Sequence, residues 1–152
     1  MLPRRILFCA DFSDNSVRAR EYASVFAAEF GAELFVLHVI DSTLIGYPSL
    51  DAGVPVDIKS ALDEIQHSVD KALALVSEKC SPKAPYVQTF SRFGVPSFEI
   101  VKFAGEKGIE MIVMGTHGRT GFRHLLMGST AENVVRTANC AVLTVRSSSN
   151  SE

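Results

Sequence analysis

The chain has 152 residues, 47% of them hydrophobic, which is enough for one domain with a buried core. Its 15 Lys and Arg against 17 Asp and Glu leave a formal net charge of -2, so a surface built to hold DNA or RNA is not expected. The 3 cysteines, Cys9, Cys80 and Cys140, are far apart and odd in number, which excludes a disulfide framework or a zinc signature and points to a reducing compartment.

In chain order, Ile6 to Ala10 is a short apolar run that reads as a buried strand. It is too short for a signal-peptide core or a membrane span, so a cytoplasmic protein with no membrane partner is expected. Asp11-Phe12-Ser13-Asp14-Asn15 is rich in capping residues, and Ala19, Ala23, Phe26, Ala27 and Phe30 then recur at helical spacing up to Gly31. Leu34 to Ile40 is a second, nearly unbroken apolar run, as in strands buried on both faces of a parallel sheet. Residues 41 to 57 are irregular, with Gly46, Pro48, Gly53 and Pro55, and read as a loop. Ile58, Ala61, Leu62, Ile65, Val69, Ala72, Leu73 and Val76 make the cleanest helical stripe.

Ser81-Pro82-Lys83-Ala84-Pro85 breaks that helix, and Tyr86 to Arg92 reads as a third, more polar strand. A helix after Pro96 ends near Gly108, and Ile109 to Met114 is a fourth strand. A helix from Ser129 and a fifth strand, Ala141 to Val145, complete the pattern, leaving a polar tail over 147–152 that is expected to be disordered. Strands alternating with helices predict a single α/β domain over 1–146, an open five-stranded parallel sheet in three layers. In such sheets ligands sit outside the carboxyl ends of the strands, where strand order reverses. The segments after Ala10, Val39 and Met114 leave those ends.

The last of these segments carries Gly115-Thr116-His117-Gly118-Arg119-Thr120-Gly121, followed by Gly128-Ser129-Thr130 at a helix start. Glycines allow close approach of the backbone to a ligand, and a helix N-terminus offers unpaired N–H groups and a partial positive charge. The spacing is neither a Walker A loop, which needs Gly-Lys, nor an early dinucleotide fingerprint. Ser129-x-x-Glu132 matches a capping box, so Ser129 is expected to cap its helix. Asp11 either caps the first helix or accepts from a ligand. Arg119 and Arg123 either offset phosphate charge or stand in solvent, and His117 either touches phosphate or orders the loop. His67 and His124 are expected at the surface and His38 in or beside a strand. The 4 histidines show no metal-ligand spacing.

Gly115-x2-Gly118-x9-Gly128-Ser129 resembles the nucleotide motif of universal stress proteins, G-x2-G-x9-G-[ST], and the likeness runs over about residues 3 to 146. The family also shows an early Asp after the first strand, here Asp11, and segments similar to Leu37-His38-Val39-Ile40-Asp41 and Ala141 to Val145. The resemblance implies a Rossmann-like fold of the adenine nucleotide alpha hydrolase-like type. It implies that Ala10, Asp11 and Val39 line the base and ribose, with Met114 nearby. It implies that Gly115 lies against ribose and first phosphate, and that Gly118, Gly128, Ser129 and Thr130 donate to phosphates. Family members often carry Pro-Thr before that Asp; here Cys9-Ala10 stand there, so a hydroxyl is missing and Cys9 is either a reactive thiol beside the pocket or an inert core residue.

The function expected from this resemblance is a regulatory stress-response module that binds ATP, or ADP or AMP, with Mg²⁺ accompanying the phosphates. A slow ATP hydrolase is the alternative, although only Asp11 and His117 are candidates for the chemistry. A second alternative is an interaction module whose dimerisation the nucleotide gates. The resemblance implies a homodimer joined through the last strand, Val142, Leu143, Thr144 and Val145; otherwise that strand only completes its own sheet.

Overall fold

The computed structural model describes residues 1–44, 57–117 and 127–146. Its elements follow the order β1 (Arg5–Cys9), α1 (Val17–Phe30), β2 (Glu33–Asp41), α2 (Ile58–Cys80), β3 (Val87–Gly94), α3 (Pro96–Lys107), β4 (Met111–Gly115), α4 (Ser129–Thr137) and β5 (Ala141–Val145). The 5 strands form one sheet in the order β3-β2-β1-β4-β5. Every pairing is parallel, with Leu7 opposite Phe35 on one side and Ile112 on the other. The expected parallel α/β fold is therefore present, each strand within two residues of its expected bounds. The loop expected over 41 to 57 falls for residues 45–56, and the tail wholly, outside the described residues.

Alternation along the strands divides the interior into two clusters, one on each face. Ile6, Phe8, Leu34, Val36 and Val113 meet Ala19, Ala23 and Ala27 of α1 and Val69 and Leu73 of α2. The three alanines stand four residues apart, a smooth strip on which α1 lies close to the sheet. Leu7, Phe35, Leu37, Ile112 and Met114 meet Ile100, Phe103 and Ala104 of α3 and Ala131 and Val134 of α4. Phe103 sits among Phe35 and Phe90, with ring centroids 6.4 and 5.0 Å away. Helices α1 and α3 both end on a glycine in the left-handed region, Gly31 at φ 62° and Gly108 at φ 61°, where a side chain would be strained.

Two expectations are corrected. The capping residues after β1 do not cap α1 directly: a 3-10 turn, Asp14–Ser16, intervenes, and Ser16 stands at the N-cap without a side-chain hydrogen bond. The stripe of α2 is also less buried than its regularity suggests: Val69 and Leu73 are buried, but Ile58 is 53% exposed. The reason is length. At 23 residues α2 is about 34 Å long, whereas the 8 residues of β3 span about 26 Å, so the first turns of α2 overhang the carboxyl edge of the sheet.

Phe103 is 1% exposed and its ring joins α3 to both β2 and β3. Phe103→Ala is expected to cost about 3–5 kcal/mol in urea unfolding with an unchanged m-value. A loss below about 1 kcal/mol would show that this cluster is not a unit of the core.

Candidate functional site

The carboxyl ends of the strands open into a cavity of about 860 Å³. Strand order turns back at β1, which pairs with both β2 and β4, and the cavity stands over that point. Its lining comes from both faces of the sheet. On the α3/α4 side are Cys9, Leu37, Val39, Pro96, Ile100, Met114 and Gly128 to Ala131. On the α1/α2 side are Ala10, Phe12, His38, Ile40, Ile65, Val69 and Ala72, and Asp11 also lines the cavity.

The end of β4 and the start of α4 are held together by backbone bonds. Thr116, 4% exposed, takes the Gly128 N–H on its carbonyl at 2.7 Å and gives its own N–H to the Val145 carbonyl at 3.0 Å. The absence of a side chain at Gly128 permits this approach, since a Cβ there would stand 3.2 Å from the Thr116 oxygen. Gly128, not Ser129, takes the N-cap, with φ -74° and ψ 157°, and no side chain caps the helix. The expected Ser129–Glu132 capping box is thus not formed: Ser129 is already the first helical residue, where its hydroxyl no longer faces the N-terminal amides in capping geometry. Glu132 instead pairs with Arg136 at 3.4 Å. The first intrahelical bond runs from the Glu132 N–H to the Gly128 carbonyl, so the N–H groups of Ser129, Thr130 and Ala131 precede the ladder at the cavity wall.

Asp11 follows β1 with only Ala10 between them. Its Oδ1 accepts from the Ser13 N–H at 2.9 Å and the Ser13 hydroxyl at 2.7 Å, a side-chain turn rather than a cap on α1. Phe12 then adopts φ 61°, a left-handed conformation that costs a non-glycine residue about 1–2 kcal/mol. Its ring stacks on His38 with centroids 4.2 Å apart. His38 places Nδ1 2.7 Å from the Ala10 carbonyl; a carbonyl only accepts, so that nitrogen carries the proton.

Of the residues expected at the site, the cavity brings together Ala10, Asp11, Val39, Met114, Gly115, Gly128, Ser129 and Thr130. His117 is not among its lining residues; its Nδ1 stands 3.0 Å from the Thr116 hydroxyl. Gly118, Arg119, Arg123 and His124 lie outside the described residues. Phe12, His38 and the α2 wall went unassigned from the sequence. A signal existed for His38, the one polar residue in the apolar run 34–40, since a polar group in a buried strand needs a partner. None existed for Ile65 and Val69, whose approach to the site depends on the overhang of α2. Among the described residues there is no group of three or more His, Cys, Asp or Glu able to hold a metal, and no helix long and apolar enough to cross a membrane.

Cys9 lines the cavity. Burial pushes its thiol far above the ordinary range, and the Asp11 carboxylate and Cys140 push the same way. Burial likewise raises Cys80 and Cys140. Because the thiolate is the reactive form, iodoacetamide at pH 8 is expected to label all three at least about tenfold more slowly in the native protein than in guanidinium. Mass spectrometry of timed digests checks this, and native labelling of Cys9 at the rate of the denatured chain would contradict it.

Comparison with known proteins places this geometry. The model of the universal stress protein family matches residues 3–146. The chain is 37% identical over 146 residues to universal stress protein MJ0531 of Methanocaldococcus jannaschii, a match covering 95% of this chain and 83% of that one. The structure of universal stress protein UspA from Lactobacillus plantarum superposes with a TM-score of 0.80 at 29% identity, covering 93% of this chain and 97% of the other. A universal stress protein solved in complex with cAMP superposes with a TM-score of 0.73 over 96% of this chain and 98% of that one, at 20% identity, which is a likeness of fold. A parallel sheet reversed at β1, a glycine-edged turn from β4 into α4, and a family match over nearly the whole chain lead to one assignment: this protein belongs to the universal stress protein family.

Proposed function

We propose that this protein binds an adenine nucleotide in the cavity over β1 and β4 and acts as a regulatory binding module. The observation that carries the reading is the meeting of two kinds of group in one cavity: the N-terminal amides of α4 and the carboxylate of Asp11. Three N–H groups at a helix start suit phosphate oxygens, and they need no lysine. Asp11 suits a ribose hydroxyl or an exocyclic amine, and Val39 and Met114 suit the faces of a flat base. The adenine assignment comes from the motif Gly115-x2-Gly118-x9-Gly128-Ser129. The cAMP complex adds one point at the level of fold, that an adenine nucleotide is housed by a protein of this architecture. Mg²⁺ would arrive with the phosphates and be held by them and by water.

Binding rather than turnover is the favoured role. Asp11 is occupied with Ser13, and His117 is outside the cavity lining, so neither is set to orient an attacking water. Calorimetric titration of nucleotide-free protein with ATP, ADP and AMP is expected to show one site per chain, with turnover of ATP below about 1 per second. Asp11→Ala and Gly128→Val are each expected to weaken binding about tenfold or more, the second because its side chain meets the Thr116 carbonyl. Absence of binding for all three nucleotides overturns the reading.

Self-association through β5 is the second part of the proposal. β5 ends the sheet, and its Val145 is 7% exposed, packed in the chain's own core. A partner strand would therefore be met by backbone. The Val145 carbonyl faces β4, where it takes the Thr116 N–H, so by alternation the N–H groups of Val142 and Thr144 face the open edge. Thr144→Pro removes one outward donor and leaves the β4 ladder intact. Light scattering is expected to find a dimer that this variant weakens; a wild-type monomer at micromolar concentration would exclude the interface.

A further inference from the structure

The segment between β1 and the 3-10 turn is only four residues, Ala10 to Ser13, and it carries Asp11, one of the carboxylates that line the cavity together with Asp41 and Glu64. Its amide end is fixed by the sheet, through the Ala10 N–H on the Leu37 carbonyl at 2.8 Å. Its direction after that point is not a strand direction: Phe12 is in the left-handed region at φ 61°. Its far end is held by the Ser16 amide and hydroxyl on the Ser13 carbonyl, and two contacts reach the segment from one side chain of the neighbouring strand. His38 donates from Nδ1 to the Ala10 carbonyl at 2.7 Å and stacks its ring on Phe12 at 4.2 Å. Ala10 is 5% exposed, so a carbonyl that lost this donor would stand where water replaces it poorly.

We infer that His38 is a positioning residue, whose Nδ1–H on the Ala10 carbonyl sets where the Asp11 carboxylate stands in the cavity. The Ala10 carbonyl and the Asp11 nitrogen belong to the same peptide plane, so the bond fixes the plane from which the Asp11 side chain departs. The Asp11–Ser13 turn then forms on a prepared backbone. Without the donor, the plane is free to rotate and relieve the left-handed conformation at Phe12, and the carboxylate moves with it.

Two variants separate the parts of the side chain. His38→Asn keeps an N–H at the reach of Nδ1 and removes the ring; His38→Phe keeps a ring for Phe12 and removes the N–H. Two readouts are taken on each: exchange of the Ser13 amide by NMR, which reports the Asp11 turn directly, and ATP affinity by calorimetry, which rests on the nucleotide reading. The Phe variant is expected to exchange the Ser13 amide and to release ATP about tenfold more readily, and the Asn variant to stay within about threefold of the parent in both. Wild-type Ser13 exchange in the Phe variant, or an Asn variant as impaired as the Phe variant, overturns the inference. Should the Phe variant not fold, His38→Gln, whose amide lies one bond farther out, takes its place with the same expectation. If the parent protein binds no adenine nucleotide, the proposed function fails, and Ser13 exchange alone decides the role of His38.

Discussion

The handedness of the crossover connections organises the molecule. A strand, a helix and the next parallel strand wind right-handed, so stepping from β1 outward to β2 and β3 puts α1 and α2 on one face of the sheet. Returning across β1 to lay down β4 and β5 reverses the direction of travel, and the same rule then puts α3 and α4 on the other face. The chain leaving β1 heads for one face and the chain leaving β4 heads for the other. The cavity is the space between them.

The two sides of this opening are built differently. Toward α4 the polar groups are main-chain amides, positioned by helix geometry and by the backbone bonds of Thr116 to Gly128 and Val145. Toward β1 and α2 the polar groups include side chains, among them Asp11, positioned by a short turn, and His38 of the neighbouring strand, with Asp41, Glu64 and Ser68 also in the lining. A site whose positive character comes from amides needs little formal charge, which agrees with a chain of net charge -2.

The sheet could be read from the sequence because each strand is a short apolar run bounded by turn residues, and alternation of strands and helices leaves few topologies. β5 was placed to the residue, since Ala141 to Val145 is closed by polar residues on its far side. Capping was read less well. Ser129 and Glu132 have the right identities and spacing, but Gly128 bonds to Thr116 and so claims the N-cap first. The capping-rich stretch after β1 misled in the same way, because the chain inserts a 3-10 turn there and spends Asp11 on Ser13. Phe12 has no sequence signal at all; its left-handed backbone goes with a ring stacked on His38, a residue far away in the chain. Local preferences place elements, and contacts between elements decide which polar group serves which purpose.

The amides at the start of α4 have a bearing on how this surface tolerates mutation. A donor that belongs to the main chain is lost only to proline, so other changes at Ser129 and Thr130, which lie outside the core, leave their N–H groups where they are. Sensitivity is concentrated instead at Gly128, where any Cβ presses on the Thr116 carbonyl. The amide half of the cavity is thus robust at Ser129 and Thr130 and brittle at Gly128 and at the buried Ala131, whereas the half that carries Asp11 and His38 is open to change at each of those side chains. Variation among proteins of this fold would accumulate on the second half first, altering what is recognised there while the helix end stays as it is.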